Sequence, residues 1–378
     1  MFDYEALRFI WWLLVGVLLI GFAIADGFDL GVCALVPVIG KTDNERRVMI
    51  NSIAPHWDGN QVWLVSAGGA LFAAWPTVYA VSFSGFYFAM ILTLAGLWLR
   101  PIGLDYRSKI ESPKWRNNWD IAISISGFVP SLIFGVAFGN LLQGIPFTLS
   151  DFMMPTYHGS FFGLLNPFAL LCGLISLTMF LVMGTTWLQM KTTAAVRDRA
   201  RAVSQAGALT ITVLFVAAGF WIQSIDGYAL KSEVDTFAAS NPLNKEVVRE
   251  AGAWMANYAS YPLMWIAPIL GTVMPLVVIL ATRINSGGLA FLASSLTSAG
   301  IILTAGFSMF PFVMPSSLNP SQSLTMWDST SSELTLQIMT VVAAIFIPII
   351  LSYTAWSYYK MYGRIDDKFI EENKNSLY

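Results

Sequence analysis

Charge is scarce in this chain. Its 378 residues include 21 Lys and Arg and 23 Asp and Glu, or 12% charged, where soluble proteins carry about 25%. A water-soluble surface cannot be built from so few charges, which excludes a globular cytosolic enzyme. The formal net charge of −2 provides no basic footprint, which excludes a nucleic-acid binder. Cysteine is limited to Cys33 and Cys172, both in apolar stretches, so neither a disulfide framework nor a Cys-rich metal site is expected. Histidine is limited to His56 and His158, too few for chemistry that needs several imidazoles. Disorder is excluded by an aromatic content of 14%, the opposite of its signature. What the chain has in excess is apolar surface, with 56% hydrophobic residues and a mean hydropathy of +0.62. The fold class is an all-α polytopic membrane protein.

About 20 apolar residues cross the hydrocarbon as a helix. Spans are expected at about 9–35, 48–75, 78–99, 121–142, 161–183, 207–225, 262–282, 289–310 and 334–358. The second is the least apolar, because His56, Trp57, Asp58, Gly59 and Asn60 precede its hydrophobic run. Loop charge decides in its favour. With nine transmembrane helices, one set of loops collects all of the 21 Lys and Arg except Arg8 and three in one long loop, Lys231, Lys245 and Arg249. Cytoplasmic loops are enriched in this way, so the N-terminus is expected on the periplasmic side and the C-terminus in the cytoplasm. With eight spans, Lys41, Arg46 and Arg47 would lie on the wrong side.

The whole chain, 1–378, reads as a single integral membrane domain: two four-helix bundles plus one peripheral helix. A faint repeat supports the halves, since Gly21-Phe22 before Asp26-Gly27 resembles Gly219-Phe220 before Asp226-Gly227. Ala23-Ile24-Ala25 has the small-residue pattern of a cleavage site, but Asp3 and Glu5 precede it, so no signal peptide is expected. The long loop from Asp226 to Tyr261 is expected to hold a short amphipathic helix around Asn244–Asn257. Pro311 to Ser317 is too rich in proline for a helix. Gly127, Gly135 and Gly139 set small residues at near-helical spacing, which permits close helix contact. Arg100-Pro101 is expected to end a span at the inner surface, with the guanidinium reaching outward to water.

Carboxylates inside a membrane are costly, roughly 2.5–3.5 kcal/mol each on insertion scales, and Asp26, Asp29 and Asp58 lie within the first two spans. At about 1.5 Å per residue, all three fall in the inner half of the membrane. Asp26 and Asp29 share a helical face, and His56 shares one with Asn60. Proton relays need titratable groups within reach of one another or of trapped water, shielded from lipid, which makes Asp58, Asp26, Asp29 and His56 candidates for a proton path. Two other readings stand beside it: a cation held by Asp26, Asp29 and backbone carbonyls, and carboxylates that only cap a helix break. Histidine is the usual axial ligand of membrane b-type haem. With His158 in an outer loop, this chain is poorly equipped to hold redox cofactors alone, and haems of a redox machine would sit mainly on a partner. A proton- or cation-coupled secondary transporter is the alternative function, although its hallmark, matching interrupted helices in inverted halves, is missing because both interrupted segments lie in the first quarter.

Longer motifs carry a family resemblance. They include Asp3-Tyr4-Glu5 with Leu7-Arg8-Phe9, Asp26-Gly27-Phe28-Asp29, Glu45-Arg46-Arg47 and Pro55-His56-Trp57-Asp58-Gly59-Asn60-Gln61-Val62-Trp63. Others are Arg100-Pro101, Phe138-Gly139-Asn140, Asn241-Pro242-Leu243, Phe310 to Ser317, Ser323 to Asp328, and the ending Ser376-Leu377-Tyr378. In these the chain resembles, over its whole length, subunit II of the bacterial cytochrome bd quinol oxidases. The resemblance implies an inner-membrane heterodimer with a larger subunit I that holds two b-type haems and one d-type haem. It implies oxidation of quinol and reduction of dioxygen to water, with proton motive force generated by taking up protons from the cytoplasm. A small accessory subunit and a structurally bound ubiquinone are further features it suggests. Asp58 matches the family's acidic position on the proton route, and Trp63 matches a tryptophan associated with oxygen access.

Overall fold

The computed structural model describes residues 2–373 and 377–378; Ser376, named above, lies outside the described residues. In hydrocarbon every backbone N–H and C=O must be satisfied within the segment, and this chain meets that requirement with helices. In chain order they are α1 (Tyr4–Ile39), α2 (Asp43–Ile53), α3 (Trp57–Ala74), α4 (Pro76–Gly85), α5 (Tyr87–Arg107), α6 (Pro113–Gln143) and α7 (Pro167–Lys191). They continue with α8 (Ala194–Trp221), α9 (Ala256–Ser260), α10 (Ile266–Arg283), α11 (Gly287–Met309), α12 (Glu333–Lys360) and α13 (Asp367–Glu372). Among the described residues, eight helical segments are long and apolar enough to cross a membrane. The expected span at 48–75 is not one of them. It is two helices, α2 and α3, interrupted at Ala54–His56. The span expected at 78–99 is likewise broken, at Phe86, and α5 runs on to Arg107.

Two groups of four follow from the packing. α1, α2–α3, α4–α5 and α6 form the first, and α7, α8, α10 and α11 the second, joined where α6 and α1 pack on α7 and where α1 meets α11. α12 lies outside both, against α1 and α3, and Leu336 is its only buried residue. Close approach is made possible by glycine. A side chain at Gly31 of α1 would strike the Phe180 carbonyl of α7. The Gly127, Gly135 and Gly139 stripe of α6 fits the same way against the α1 and α7 backbones. The faint repeat does not survive, because Asp226-Gly227 opens a β-strand whereas Asp26-Gly27 lies buried within α1.

The end where α1 passes into α2 is basic. Asp120, fully buried, accepts from Arg107 at 2.5 Å and Arg46 at 2.7 Å. Asp43 takes Arg107 at 2.8 Å and Arg116 at 2.7 Å. Thr42 and Glu45 form a capping box at the start of α2. Burial pushes the Glu45 carboxyl up, but Arg199 at 2.6 Å and the Lys41 and Thr42 amides outweigh it and hold the group below its ordinary range.

At the opposite end three short hairpins cover the bundle: β1 (Phe147–Leu149) with β2 (Pro155–Tyr157), β3 (Asp226–Leu230) with β4 (Val247–Ala251), and β5 (Phe312–Met314) with β6 (Leu324–Thr325). The helix expected around Asn244–Asn257 is therefore replaced by strand β4 at Val247–Ala251, with a short 3-10 turn at Ala253–Met255. Paired Val247 and Val248 are β-branched and suit a half-buried pleat, and α-helix begins only at Ala256. Arg8, fully buried, ties these loops to α1 by donating to the Thr236 carbonyl at 2.6 Å, the Ala238 carbonyl at 2.9 Å and the Thr330 hydroxyl at 3.0 Å. Beside it, Lys245 and Asp328 pair at 2.9 Å with side chains 1% and 5% exposed. Burial pushes the Lys245 ammonium down, with Asp328 opposing the shift. Removing one partner of a buried pair costs about 3–5 kcal/mol. Lys245→Met is therefore expected to release the 231–245 segment, read as faster limited proteolysis there, and unchanged cleavage would show that the pair does not hold the loop.

Candidate functional site

The site is built where the interrupted α2–α3 segment crosses α1. Asp26 and Asp29 lie on one face of α1 and are both fully buried. Arg100 of α5, also fully buried, donates through Nη1 to Asp26 Oδ1 at 2.7 Å and through Nη2 to Asp26 Oδ2 at 3.4 Å. Its Nη2 also donates to Gln61 Oε1 at 3.1 Å, and its guanidinium lies 5.5 Å from the Trp57 ring. Asp29 is held differently. Asn60 Nδ2 donates to Asp29 Oδ2 at 2.8 Å, while Asp29 Oδ1 is buried without a partner. A hydrogen-bonded chain then leaves the core, since Tyr358 of α12 donates to Asn60 Oδ1 at 2.7 Å.

His56, in the break between α2 and α3, is 5% exposed. Its ring stacks on Tyr358 with centroids 4.2 Å apart and meets Trp187 edge-on at 6.3 Å. Trp187 in turn stacks on Phe28 at 4.0 Å. The interruption thus lets α3 start beside α1 and presents His56 and Asn60 to α12 in adjacent turns. The cluster holds two carboxylates and one guanidinium, one acidic group more than it has basic groups, where an unpaired buried charge is strongly disfavoured.

The sequence expectation of three neighbouring carboxylates is met for two. Asp58, in the first turn of α3, is exposed on the chain's surface, separate from the Asp26–Arg100–Asp29 cluster. Its neighbour Asn60 turns inward while Asp58 turns outward, as positions 100° apart per residue require. Arg100 also departs from expectation. It does not reach out to water, because α5 continues to Arg107 and keeps Arg100 within the bundle as the partner of Asp26. Gln61, Tyr358 and Trp187 were not singled out from sequence. The available signal was electrical: two acids buried in span 1 call for a buried base, and Arg100 directly follows an apolar run.

Trp63 is partly buried, its ring packed over Gly21, where a side chain would collide with it. It belongs to an apolar cluster with Phe22, Leu64, Phe134 and Phe180. The same residues other than Trp63 line a cavity of about 260 Å³ between the two bundles, closed on the far side by Phe215 and Ile301. His158 is exposed in β-hairpin β1–β2, hydrogen-bonded to Thr148 at 2.8 Å. Among the described residues no group of three His, Cys, Asp or Glu is placed to hold a metal ion.

The family model described as cytochrome bd terminal oxidase subunit II matches residues 7–361. The chain belongs to this family. It is 61% identical over 378 residues to the probable cytochrome oxidase subunit 2 of Haemophilus influenzae, with all of both chains covered. Identity to the cytochrome bd-I ubiquinol oxidase subunit 2 of Escherichia coli is also 61%, over 379 residues and all of both chains. The cytochrome bd ubiquinol oxidase subunit 2 of Bacillus subtilis is 29% identical over 366 residues, covering 96% of this chain and 98% of its own. In three dimensions the chain is similar to the bd oxidase from Geobacillus thermodenitrificans, with a TM-score of 0.67 over 95% of this chain and 100% of that one. At 15% identity that likeness speaks to the fold.

As a bd oxidase subunit II, the chain is a multi-pass protein of a bacterial inner membrane and part of an oxidoreductase complex that carries haem and includes a subunit I. The transporter reading finds no support in these matches.

Proposed function

We propose that this chain is the haem-poor half of a quinol oxidase and supplies part of the route by which protons reach the dioxygen-reducing haems of subunit I. The observation that carries this reading is the enclosed set Asp26–Arg100 with Asp29–Asn60–Tyr358. Arg100 neutralises Asp26, and Asp29 is left with an amide partner and one free oxygen, the arrangement of a carboxyl group that holds an exchangeable proton. His56 flanks the Tyr358 end of this chain. Asp58, on the open face of α3, is the group placed to pass protons toward a neighbouring subunit.

In this reading the basic end faces the cytoplasm and the N-terminus the periplasm, in keeping with the bias of Lys and Arg toward cytoplasmic loops. Protons then enter from the side on which Asp26, Asp29 and Asp58 lie. Two b-type haems and one d-type haem belong to subunit I, since this chain has only His56 buried among its imidazoles. The apolar cavity between the bundles suits a structurally bound ubiquinone, whose isoprenoid tail needs such a lining, and Trp63 beside it marks a path for dioxygen. The uncovered α12 leaves room for a small accessory subunit.

The test is colour and turnover together. Membranes enriched in this chain and its co-purifying partner should show haem absorption bands and consume dioxygen when given quinol. Haem-free material that moves protons or cations without quinol would restore the transporter reading.

A further inference from the structure

The second bundle has a polar core of its own, on helices other than those that carry the carboxylates. A serine or threonine inside a helix can return its hydroxyl proton to a carbonyl three or four residues back. Ser82, Thr93, Thr185, Thr186 and Thr297 do so here. Ser204 of α8 and Thr282 of α10 do not: both are fully buried and neither hydroxyl has a hydrogen-bond partner. The side-chain amide nitrogen of Gln189 on α7, a residue 2% exposed, is also without one. So are the enclosed Nε atoms of Arg197 and Arg201.

Helix register gathers these groups. Val182, Ala208, Val278 and Ala293, one from each helix of the second bundle, form a single apolar layer. One turn toward the basic end, the same helix faces present Thr186, Ser204, Thr282 and Ala290. Arg201 donates to the Thr282 carbonyl at 3.2 Å, which fixes α8 against α10 at this level. Arg197 donates to the Asn285 carbonyl at 3.1 Å one turn further out. The backbone of Gln189 lies against Gly287 at the start of α11. Thr, Ser, Thr and Ala are small for a bundle layer, where Leu or Val would fill the middle. The acid nearest in the chain, Asp198, is exposed and only 3.7 Å from Arg201.

Every unpartnered atom in this set is able to donate a hydrogen bond, and two of the five are guanidinium nitrogens. That chemistry calls for an acceptor and disfavours a cation. We propose that the second bundle binds a water-sized hydrogen-bond acceptor, an ordered water or a chloride ion, between Gln189, Ser204 and Thr282. One such guest satisfies several buried donors at once. The apolar layer of Val182, Ala208, Val278 and Ala293 bounds the proposed site on its inner side, so it would be a terminus and not a crossing.

The test uses the purified complex and the isosteric change Thr282→Val, with Ser204→Ala as a second variant, melted in potassium chloride and in potassium gluconate at equal ionic strength. If the guest is present, each variant should lower Tm by about 2–4 °C, because its partners lose a shared ligand. A wild-type Tm that rises with chloride, and a Thr282→Val Tm that does not, identifies the anion. The same loss of Tm without chloride dependence identifies water. Variants that melt at or above the wild-type temperature in both salts overturn the proposal, since an empty site is better filled by a methyl group than by an unsatisfied hydroxyl.

Discussion

Replacing Asp26 with Asn is expected to destabilise the complex by about 3–5 kcal/mol, the usual consequence of removing one partner from a buried ion pair. Arg100 is fully enclosed, and without Asp26 it keeps only Gln61 Oε1 at 3.1 Å and the Trp57 ring at 5.5 Å. The guanidinium would then lack any direct carboxylate partner, with Asp29 acting on it only at longer range. The readouts are the yield of assembled complex and its thermal unfolding. Asp29→Asn is the informative contrast. Asp29 has an amide as its hydrogen-bond partner, and Asn mimics the protonated carboxyl group, so that variant should assemble nearly as well as wild type while losing an exchangeable proton. The double change Asp26→Asn with Arg100→Gln removes both charges and should recover much of the lost stability, since replacing a whole buried pair is often neutral or better. If Asp26→Asn melts with the wild type, the ion pair does not hold the bundle together and the charge argument for Asp29 fails with it.

The membrane class, most of the helical spans and the small-residue stripe on α6 were legible because each is a property of one segment: an apolar run, a charge bias, a glycine spacing. Asp26 and Asp29 were legible for the same reason, two acids standing in an apolar sequence. What was hidden depends on pairing between segments distant in the chain. Arg100 lies 74 positions from Asp26, and hydropathy ends the span near Leu99, whereas α5 continues to Arg107 because the neighbouring helices cover it. The strand at Val247–Ala251 was read as helix because its charged residues suit either periodicity over so short a stretch; pairing with Asp226–Leu230 decided the matter. The link from Tyr358 to the Asn60 side chain was hidden as well, since it depends on α12 packing against α3. Asp58 shows the reverse limit: its position in sequence suggested burial with the other acids, and the helix turned it outward.

Asp58→Asn is expected to slow quinol-driven oxygen consumption on the order of a hundredfold, the scale of losing a positioned proton-transfer group, while haem absorption and assembly stay at wild-type levels. The two halves of that expectation have separate grounds. Asp58 is exposed and in the first turn of α3, so neutralising it orphans no buried partner, and the stability change should stay within about 0.5 kcal/mol apart from a small helix-dipole term. Its neighbour Asn60 is the residue that joins Asp29 to Tyr358, and under the proposed route Asp58 would pass protons between that chain and subunit I. Asparagine keeps the shape and hydrogen-bonding of that position but takes up no proton. Asp58→Glu keeps the carboxyl group on a longer stem and should restore most of the rate, which separates proton transfer from packing. Turnover of Asp58→Asn equal to wild type, with the haems in place, would leave this chain with a scaffolding role and move the proton route into subunit I.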